Sequence, residues 1–547
     1  MKNKINLTNL NNIFVVFFFV IFLFIGFYVY KDYGISSDEL YARFLGLVSL
    51  NYVTSLLFPD FTFNFQNTNL LPDLHNFEWK ANGVFYEMLL VVIENILNFK
   101  NFNEILHLRH LINFLFFFIA NIFFYLIIKD LYNNNFLAIT GTFFLFFTPR
   151  IFANSFYNNK DLVFLSFLII TLYFLIRIFK NFNLKNIIFF TLFSSISISI
   201  RVMGIYIPLL FIVFYFFECL KYKEYFFKSY KNLLIFIALN ILFTILFWPF
   251  LWSSPLENFI IALKSYSHFP WDGNVFYLGE FIKSTHLPWH YSLVWILVTT
   301  PIGMILLFLI GFFVISVRFC SRFVNMSYAR PLNDIWSGKN EKINLFILVI
   351  FIFPIFSVIA LNSVLYNGWR HLYFIYPFFI LLSIYGIAHL FKIFRNNKFK
   401  SYLKILIISF LISNIYNVIK LHPFQNVYFN ILFESKANKY FDIDYWGISN
   451  KHVLEKIYEL AGDKDKVTVG IASFTPLRDS LFMLDKKISN KIDVTGTNIS
   501  NEDFIFTNYY YEINPKFTKK YHIPDNYKKI YSLKRGNVLI NDLYIKK

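Results

Sequence analysis

Charge is scarce in this chain. Of 547 residues only 15% are Asp, Glu, Lys or Arg, whereas 57% are hydrophobic and 22% aromatic. Glycine (18) and proline (16) are too few for a collagen-like or low-complexity disordered class. The two cysteines, Cys219 and Cys320, have no CxxC or Cys/His spacing, which excludes a disulfide framework and a cysteine zinc site. No glycine-rich nucleotide-binding loop is evident. What the chain has instead is a succession of apolar runs, and runs of ~20 residues are what a hydrocarbon core of ~30 Å requires. The class is a polytopic α-helical membrane protein. A formal charge of +18 would point to nucleic acid in a soluble chain, so it is tested first against membrane topology.

The first run, Ile13 to Tyr30, follows a short basic start at Lys2 and Lys4. It is longer than a signal-peptide core and is followed by KDYGISSDE without a small-x-small cleavage site, so it reads as a transmembrane helix with its N-terminus in the cytoplasm. Further runs at 106–128, 136–149, 162–178, 185–200, 203–220, 232–250, 292–317, 343–361, 373–391 and 404–421 bring the expected count to about eleven spans. An odd count puts everything after 421 outside. Alternate assignment of the loops gives the cytoplasmic side twenty Lys and Arg against five Asp and Glu, and the outer parts of residues 1–420 twelve bases against thirteen acids. That asymmetry obeys the positive-inside rule, so the surplus reports orientation and contact with anionic headgroups, and no nucleic-acid partner is expected.

The expected organisation is a transmembrane module over 1–421, with outer loops at 31–105, 150–161, 251–291 and 362–372, followed by a small C-terminal extracytoplasmic α/β domain over 422–547. The first loop contains an amphipathic stretch from Val84 to Leu97. The tail shows a helical pattern at 450–461 and β-prone runs at 467–472, 503–508 and 537–545. An active site on the outer face is the simplest use of so much chain there; coverage of helix ends is the alternative.

The residues able to carry chemistry cluster in these outer segments. Asp38 and Glu39, in YGISSDELYARF, are carboxylates just beyond the first span, suited to accepting a proton from a hydroxyl or to holding a cation. Arg43, one turn later, either pairs with Glu39 or meets an anionic donor. TPRIFANSFYNNKDLVF compresses Arg150, Asn154, Tyr157, Asn158, Lys160 and Asp161 into one boundary, either a lined cavity or a pair of helix caps. Arg201 interrupts an apolar stretch, where a guanidinium costs at least ~2.5–3.5 kcal/mol, so it either holds a lipid phosphate or pairs with Glu39 or Asp161. Arg370, in LYNGWRHLYFIYP, is a second phosphate clamp with His371 beside it, while Trp369 reads as interfacial belt. The 251–291 loop contributes His268, Trp271, Asp272, Glu280, His286, Trp289 and His290, where aromatics beside acids suit sugar recognition. His286 and His290 have the spacing of a metal pair, but Pro288 between them opposes a regular helix.

Taken in order, SSDE, SFYNNKD and the alternation of long outer loops with about eleven spans resemble the integral-membrane GT-C glycosyltransferases. RHLINFLFFFIANIFFYLIIKDLY, FPWDGNVFYLGE with HLPWHYSLVWILVTTPIG, NGWRHLYFIYP, HPFQNVYFN and FDIDYWGISNK are similar to family 39. That family includes protein O-mannosyltransferases, aminoarabinose transferases of lipid A, and relatives with RgtA/B/C/D-like domains. The resemblance, over roughly residues 12–460, implies an inverting glycosyltransferase that moves a sugar from a polyprenyl phosphate to a lipid, glycan or protein hydroxyl. It implies Asp38 as general base, Glu39 as the neighbouring acid, and Asp161 as the acid that orients the acceptor or, together with Asp38, a divalent cation (Mg or Mn) in metal-dependent members. Arg43, Lys160, Arg201 and Arg370 are the expected donor-phosphate ligands, and Tyr157, Asn158, Trp271, His286, His290 and His371 the expected substrate contacts. The histidine-proline-proline motif common after the amphipathic helix of related transferases is absent; WKANGVFYEM occupies that region and leaves the acceptor class open. A polyprenyl-linked sugar transporter or flippase is the alternative. It requires ionisable groups at mid-membrane and repeated broken helices, whereas the polar residues gather at one face.

Overall fold

The computed structural model describes all residues except 1–6, 61–70, 100, 268, 326–334 and 395, so His268 lies outside the described residues. Two helices open the chain, α1 (Leu7–Val29) and α2 (Glu39–Leu57), and the amphipathic α3 (Phe85–Leu97) packs on α2. The bundle continues through α4 (Phe102–Tyr132), α5 (Asn135–Phe146), α6 (Pro149–Tyr157), α7 (Asp161–Lys180), α8 (Leu184–Ile200), α9 (Tyr206–Lys221) and α10 (Lys223–Phe247). After α11 (Pro255–Ser267) comes a hairpin of β1 (Asn274–Tyr277) and β2 (Glu280–Lys283), closed by Leu278 and Gly279, both at positive φ (53° and 89°) as a two-residue hairpin turn of this hand demands. Helices α12 (Tyr291–Thr299), α13 (Ile302–Val324), α14 (Lys339–Ala360), α15 (Tyr376–Ile393) and α16 (Asn397–Leu421) complete the module.

Among the described residues, nine helices are long and apolar enough to cross a membrane, or ten if α5 and α6, bent by 63° across Phe147 and Thr148, count as one span. The expected set differs in three ways. Residues 39–57, read as outer loop, form a helix that meets the criterion; α8 is apolar but shorter; and the run 292–317 breaks between α12 and α13 at Thr300 and Pro301. The break follows from proline, which lacks an N–H and clashes with a preceding helical turn. The molecule is nonetheless a polytopic helical membrane protein with a small C-terminal sheet domain.

Helix α7 lies at the centre: 83% of its apolar window is buried, against 17% for α10 and α16 at the periphery. Helices α13 and α15 approach closely at Gly311 and Gly386, where a methyl group on Gly311 would run into the Leu382 carbonyl oxygen. Small residues serve this purpose inside a bilayer, where lipid is as apolar as the helices and close van der Waals contact drives association.

The tail contains the short α17 (Ala437–Tyr440), then α18 (Asn450–Leu460), β3 (Val467–Ile471), α19 (Lys486–Ser489), β4 (Ile492–Gly496), β5 (Phe504–Thr507), β6 (Tyr527–Arg535) and β7 (Val538–Lys546). The strands form one sheet in the order β4-β3-β5-β7-β6; β3 runs parallel to β4 and β5, and the other pairs are antiparallel. The helical stretch at 450–461 and three of the strands coincide with the sequence patterns; β4 and β6, whose outward residues are charged, did not show as apolar runs.

Candidate active site

Five charged side chains converge from four helix ends. Asp38 stands immediately before α2, Lys160 and Asp161 at the start of α7, Arg201 directly after α8, and Arg370 in the turn that leads into α15. An Arg370 Nη1–H donates to Asp38 Oδ2 at 2.6 Å, and the same nitrogen lies 3.5 Å from Asp161 Oδ2. Arg201 pairs with the other oxygen of Asp161. Asn158 holds that carboxylate from its own loop: its Nδ2 donates to Asp161 Oδ2 at 3.2 Å, and its Oδ1 accepts the Asp161 N–H at 2.8 Å, a local capping arrangement. The Lys160 ammonium donates to Asn82 Oδ1 at 2.6 Å and faces both carboxylates and both guanidiniums.

Exposure separates the two acids. The Asp161 side chain is 2% exposed and both arginines are below 8%, whereas Asp38 is 40% exposed. Asp38 is therefore the carboxylate that an incoming molecule can reach. Burial by itself would raise its pKa, but Arg370, then Lys160 and Arg201, outweigh that and hold it below the ordinary 3.8. Burial, then Arg201, pushes the Lys160 ammonium down to about 7, with Asp38 and Asp161 opposing. Two carboxylates against three bases leave the cluster with a surplus of positive charge. The Nε atoms of Arg201 and Arg370 are also buried without a hydrogen-bond partner among the described residues.

Arg370 packs against two rings, its guanidinium carbon lying 4.9 Å from the centroids of both Tyr366 and Trp446. Trp271 packs on Tyr366 at 4.4 Å, and the His371 ring lies 4.8 Å from the same tyrosine. Tyr157 is fully buried and meets Trp446 edge-on at 5.8 Å. Tyr157, Asn158, Trp271 and His371 thus all border the cluster.

Four of the expected residues have other partners. Glu39 is buried away from the arginines: its Oε1 accepts the Ser36 N–H at 2.7 Å, and its Oε2 lies 2.9 Å from His110 Nε2. Arg43 belongs to a separate buried network. It donates to Glu94 at 2.9 Å, Glu94 and Glu87 both pair with Arg109, and Asn159 donates to Glu87 at 2.7 Å. This network ties α2, α3 and α4 to the loop that carries Lys160 and Asp161. His286 is exposed and bonded to the neighbouring Thr285, while His290 meets the Tyr277 hydroxyl at 2.7 Å, so the two imidazoles do not form a pair.

A divalent cation does not fit this donor set. Asp38 and Asp161 are both matched by guanidiniums, and the described residues contain no group of three or more His, Cys, Asp or Glu able to hold a metal. Sequence reasoning missed Asn82, Tyr366 and Trp446 as members of this site. Only Tyr366 and Trp446 carried a signal, as aromatics inside the tracts LYNGWRHLY and FDIDYWGISNK.

An apolar helical bundle with charged residues gathered where its helices end defines an integral membrane protein with a polar site at the helix termini. Residues 102–248 match the family model of dolichyl-phosphate-mannose-protein mannosyltransferases. That match supports a GT-C superfamily glycosyltransferase. It spans Lys160, Asp161 and Arg201 but neither Asp38 nor Arg370. No curated protein gives a significant match to the chain.

Proposed function

We propose that the protein is an inverting glycosyltransferase that transfers a sugar from a polyprenyl-phosphate donor to a hydroxyl of a lipid, glycan or protein acceptor at the outer membrane face. The observation that carries this reading is the meeting of one reachable carboxylate, Asp38, with Arg370, Arg201 and Lys160 around a second, buried carboxylate. In the reaction the acceptor oxygen attacks C1 of the sugar as the C1–O bond to phosphate breaks. The acceptor proton passes to Asp38 and the bonding pair leaves with the polyprenyl phosphate. The leaving group gains negative charge, which the surplus cations lower in energy.

Arg370 links the two halves of the reaction. While it donates to Asp38 it depresses the basicity of that carboxylate; a phosphate oxygen drawing the guanidinium away strengthens the base as donor binds. Asp161, enclosed and paired with Arg201, acts as the fixed counter-charge that orients both arginines. No step needs a metal. The clustering of charges at helix ends rather than at mid-span favours the transferase over the flippase alternative.

The test is transfer by the purified full chain from radiolabelled polyprenyl-phosphate sugars. Asp38→Asn keeps the shape but cannot take a proton, and a loss of ~10²–10⁴-fold in kcat is expected. Full transfer by that variant overturns the role of Asp38.

A further inference from the structure

Trp446 follows the last long apolar helix in sequence, yet its indole is buried in the core of the helical bundle. It is carried on the segment Asp442–Ser449, which the C-terminal sheet holds at the carboxyl ends of β3 and β5. Open α/β sheets ordinarily bind ligands in that crevice, at the point where the chain turns from one side of a strand to the other. Here the chain passes from β3 to β4 on one flank and returns to β5 on the other, and the crevice is filled from within. Asn508, just after β5, donates its side-chain amide to the Asp444 carbonyl at 2.9 Å and its backbone N–H to Ser473 Oγ, just after β3, at 3.2 Å. The Asp444 carboxylate accepts the N–H groups of Ile448 (3.1 Å) and Ser449 (2.9 Å) and the amide of Asn426 (3.1 Å). Gly447, at φ 70°, completes the turn, and a Cβ there would press on Asn450 and Thr475.

The outcome of this anchoring is one indole. Trp446 is 2% exposed, lies against the Arg370 guanidinium, and has an Nε1–H that is buried without a partner among the described residues. A second contact joins the same two parts of the chain: the Tyr510 hydroxyl donates to Asn367 Oδ1 at 2.7 Å, three residues before Arg370. Tyr366 is the other ring at the guanidinium, at the same 4.9 Å.

We infer that Trp446 is a positioning residue for Arg370, and that the C-terminal domain is part of the catalytic unit because the carboxyl edge of its sheet presents this indole to the membrane site. The inference rests on the transferase reading above and deepens it. Two rings packed against the guanidinium restrict its movement and keep it within reach of Asp38 and a phosphate oxygen. Without the indole the guanidinium has room to leave both.

The experiment compares Trp446→Leu and Trp446→Phe in the full chain, with transfer from a polyprenyl-phosphate sugar followed across pH. The groups facing Asp38 are Arg370, Lys160 and Arg201, so displacement of Arg370 must show as an upward move of the acid limb of kcat/KM. For Trp446→Leu the expected result is at least a tenfold loss of kcat/KM with that upward move, and for Trp446→Phe recovery to within about threefold with the limb near its original place. A Leu variant with the wild-type profile, or with lost activity and an unmoved acid limb, overturns the inference. Failure of the transferase reading shows separately, as absent transfer by the wild type. In that event a double-mutant cycle of Trp446→Leu with Arg370→Met, read in the midpoint of thermal unfolding, decides: coupled losses support the contact and additive losses overturn it.

Discussion

Lys160 sits at the junction of two demands. It has to be charged to help hold a phosphate, yet it is buried beside two arginines, and its pKa of about 7 is the compromise. In the free protein the ammonium is present below about pH 7 and lost above it, so kcat/KM for the donor should fall on the alkaline side with a midpoint near 7. Asp38, held below 3.8, sets the acid side. Lys160→Arg, charged at every accessible pH, should abolish the alkaline fall, and Lys160→Gln should give a flat profile about tenfold lower; pH–rate profiles of the three proteins check this. Arg201 illustrates how far such a residue is legible in sequence. Its cost in hydrocarbon announced that it has a partner, but Glu39 and Asp161 were equally acceptable partners until packing put Asp161 against it and gave Glu39 to His110. Arg43 misled for the same reason: one turn from Glu39 in sequence, it is bonded instead to Glu94, 51 residues away.

At the scale of elements, the hairpin is joined to the tail at several points, among them the Asn274 N–H to the Glu512 carbonyl at 2.8 Å, a Tyr277–Phe441 bridge, and one carboxyl group. The Phe276 N–H donates to Asp442 Oδ2 at 3.0 Å, and the Asp442 N–H donates back to the Phe276 carbonyl at 3.2 Å. Burial raises the Asp442 pKa from 3.8 to about 8, with the bond from Phe276 opposing. A raised folded-state pKa means that the folded protein holds the proton more tightly than the unfolded chain. The stabilisation is complete below about pH 4 and is lost progressively as pH rises to about 8. Asp442→Asn should flatten the decline of the unfolding midpoint between pH 5 and 8 relative to wild type, measured by thermal unfolding in detergent; an unchanged slope would contradict the assignment. The hairpin was invisible in sequence because four-residue strands carry little periodic signal and Leu278 is not a usual residue at positive φ. The amphipathic α3 was legible because its apolar face repeats at helical spacing, and α2 was not, because its polar residues are dispersed among apolar ones within a segment read as loop.

For the whole molecule, the distribution of bases makes a directional statement. A reagent that cannot cross the bilayer should, in intact cells, label a cysteine introduced at Lys466 in the C-terminal domain and leave unlabelled one introduced at Lys223, the first residue of α10, with Cys219 and Cys320 replaced by serine; both positions are exposed. The reverse pattern would invert the topology. Several bases of the loops expected to face the cytoplasm also have partners, since Arg318 and Arg322 pair with Glu341 and Lys342 pairs with Glu218. What the sequence determined by itself was the membrane class, most of the spans, and the concentration of reactive charge near helix ends. These follow from transfer free energies that each run of residues incurs locally, whatever its neighbours do. Which carboxylate meets which base was decided only by tertiary structure. Asp38 and Arg370 are 332 positions apart, and Trp446 meets Arg370 from beyond the last long apolar helix. Coulombic and cation–π energies depend on separations of a few ångströms, and those separations are set by how helices and sheet pack together, which no local pattern in the chain encodes.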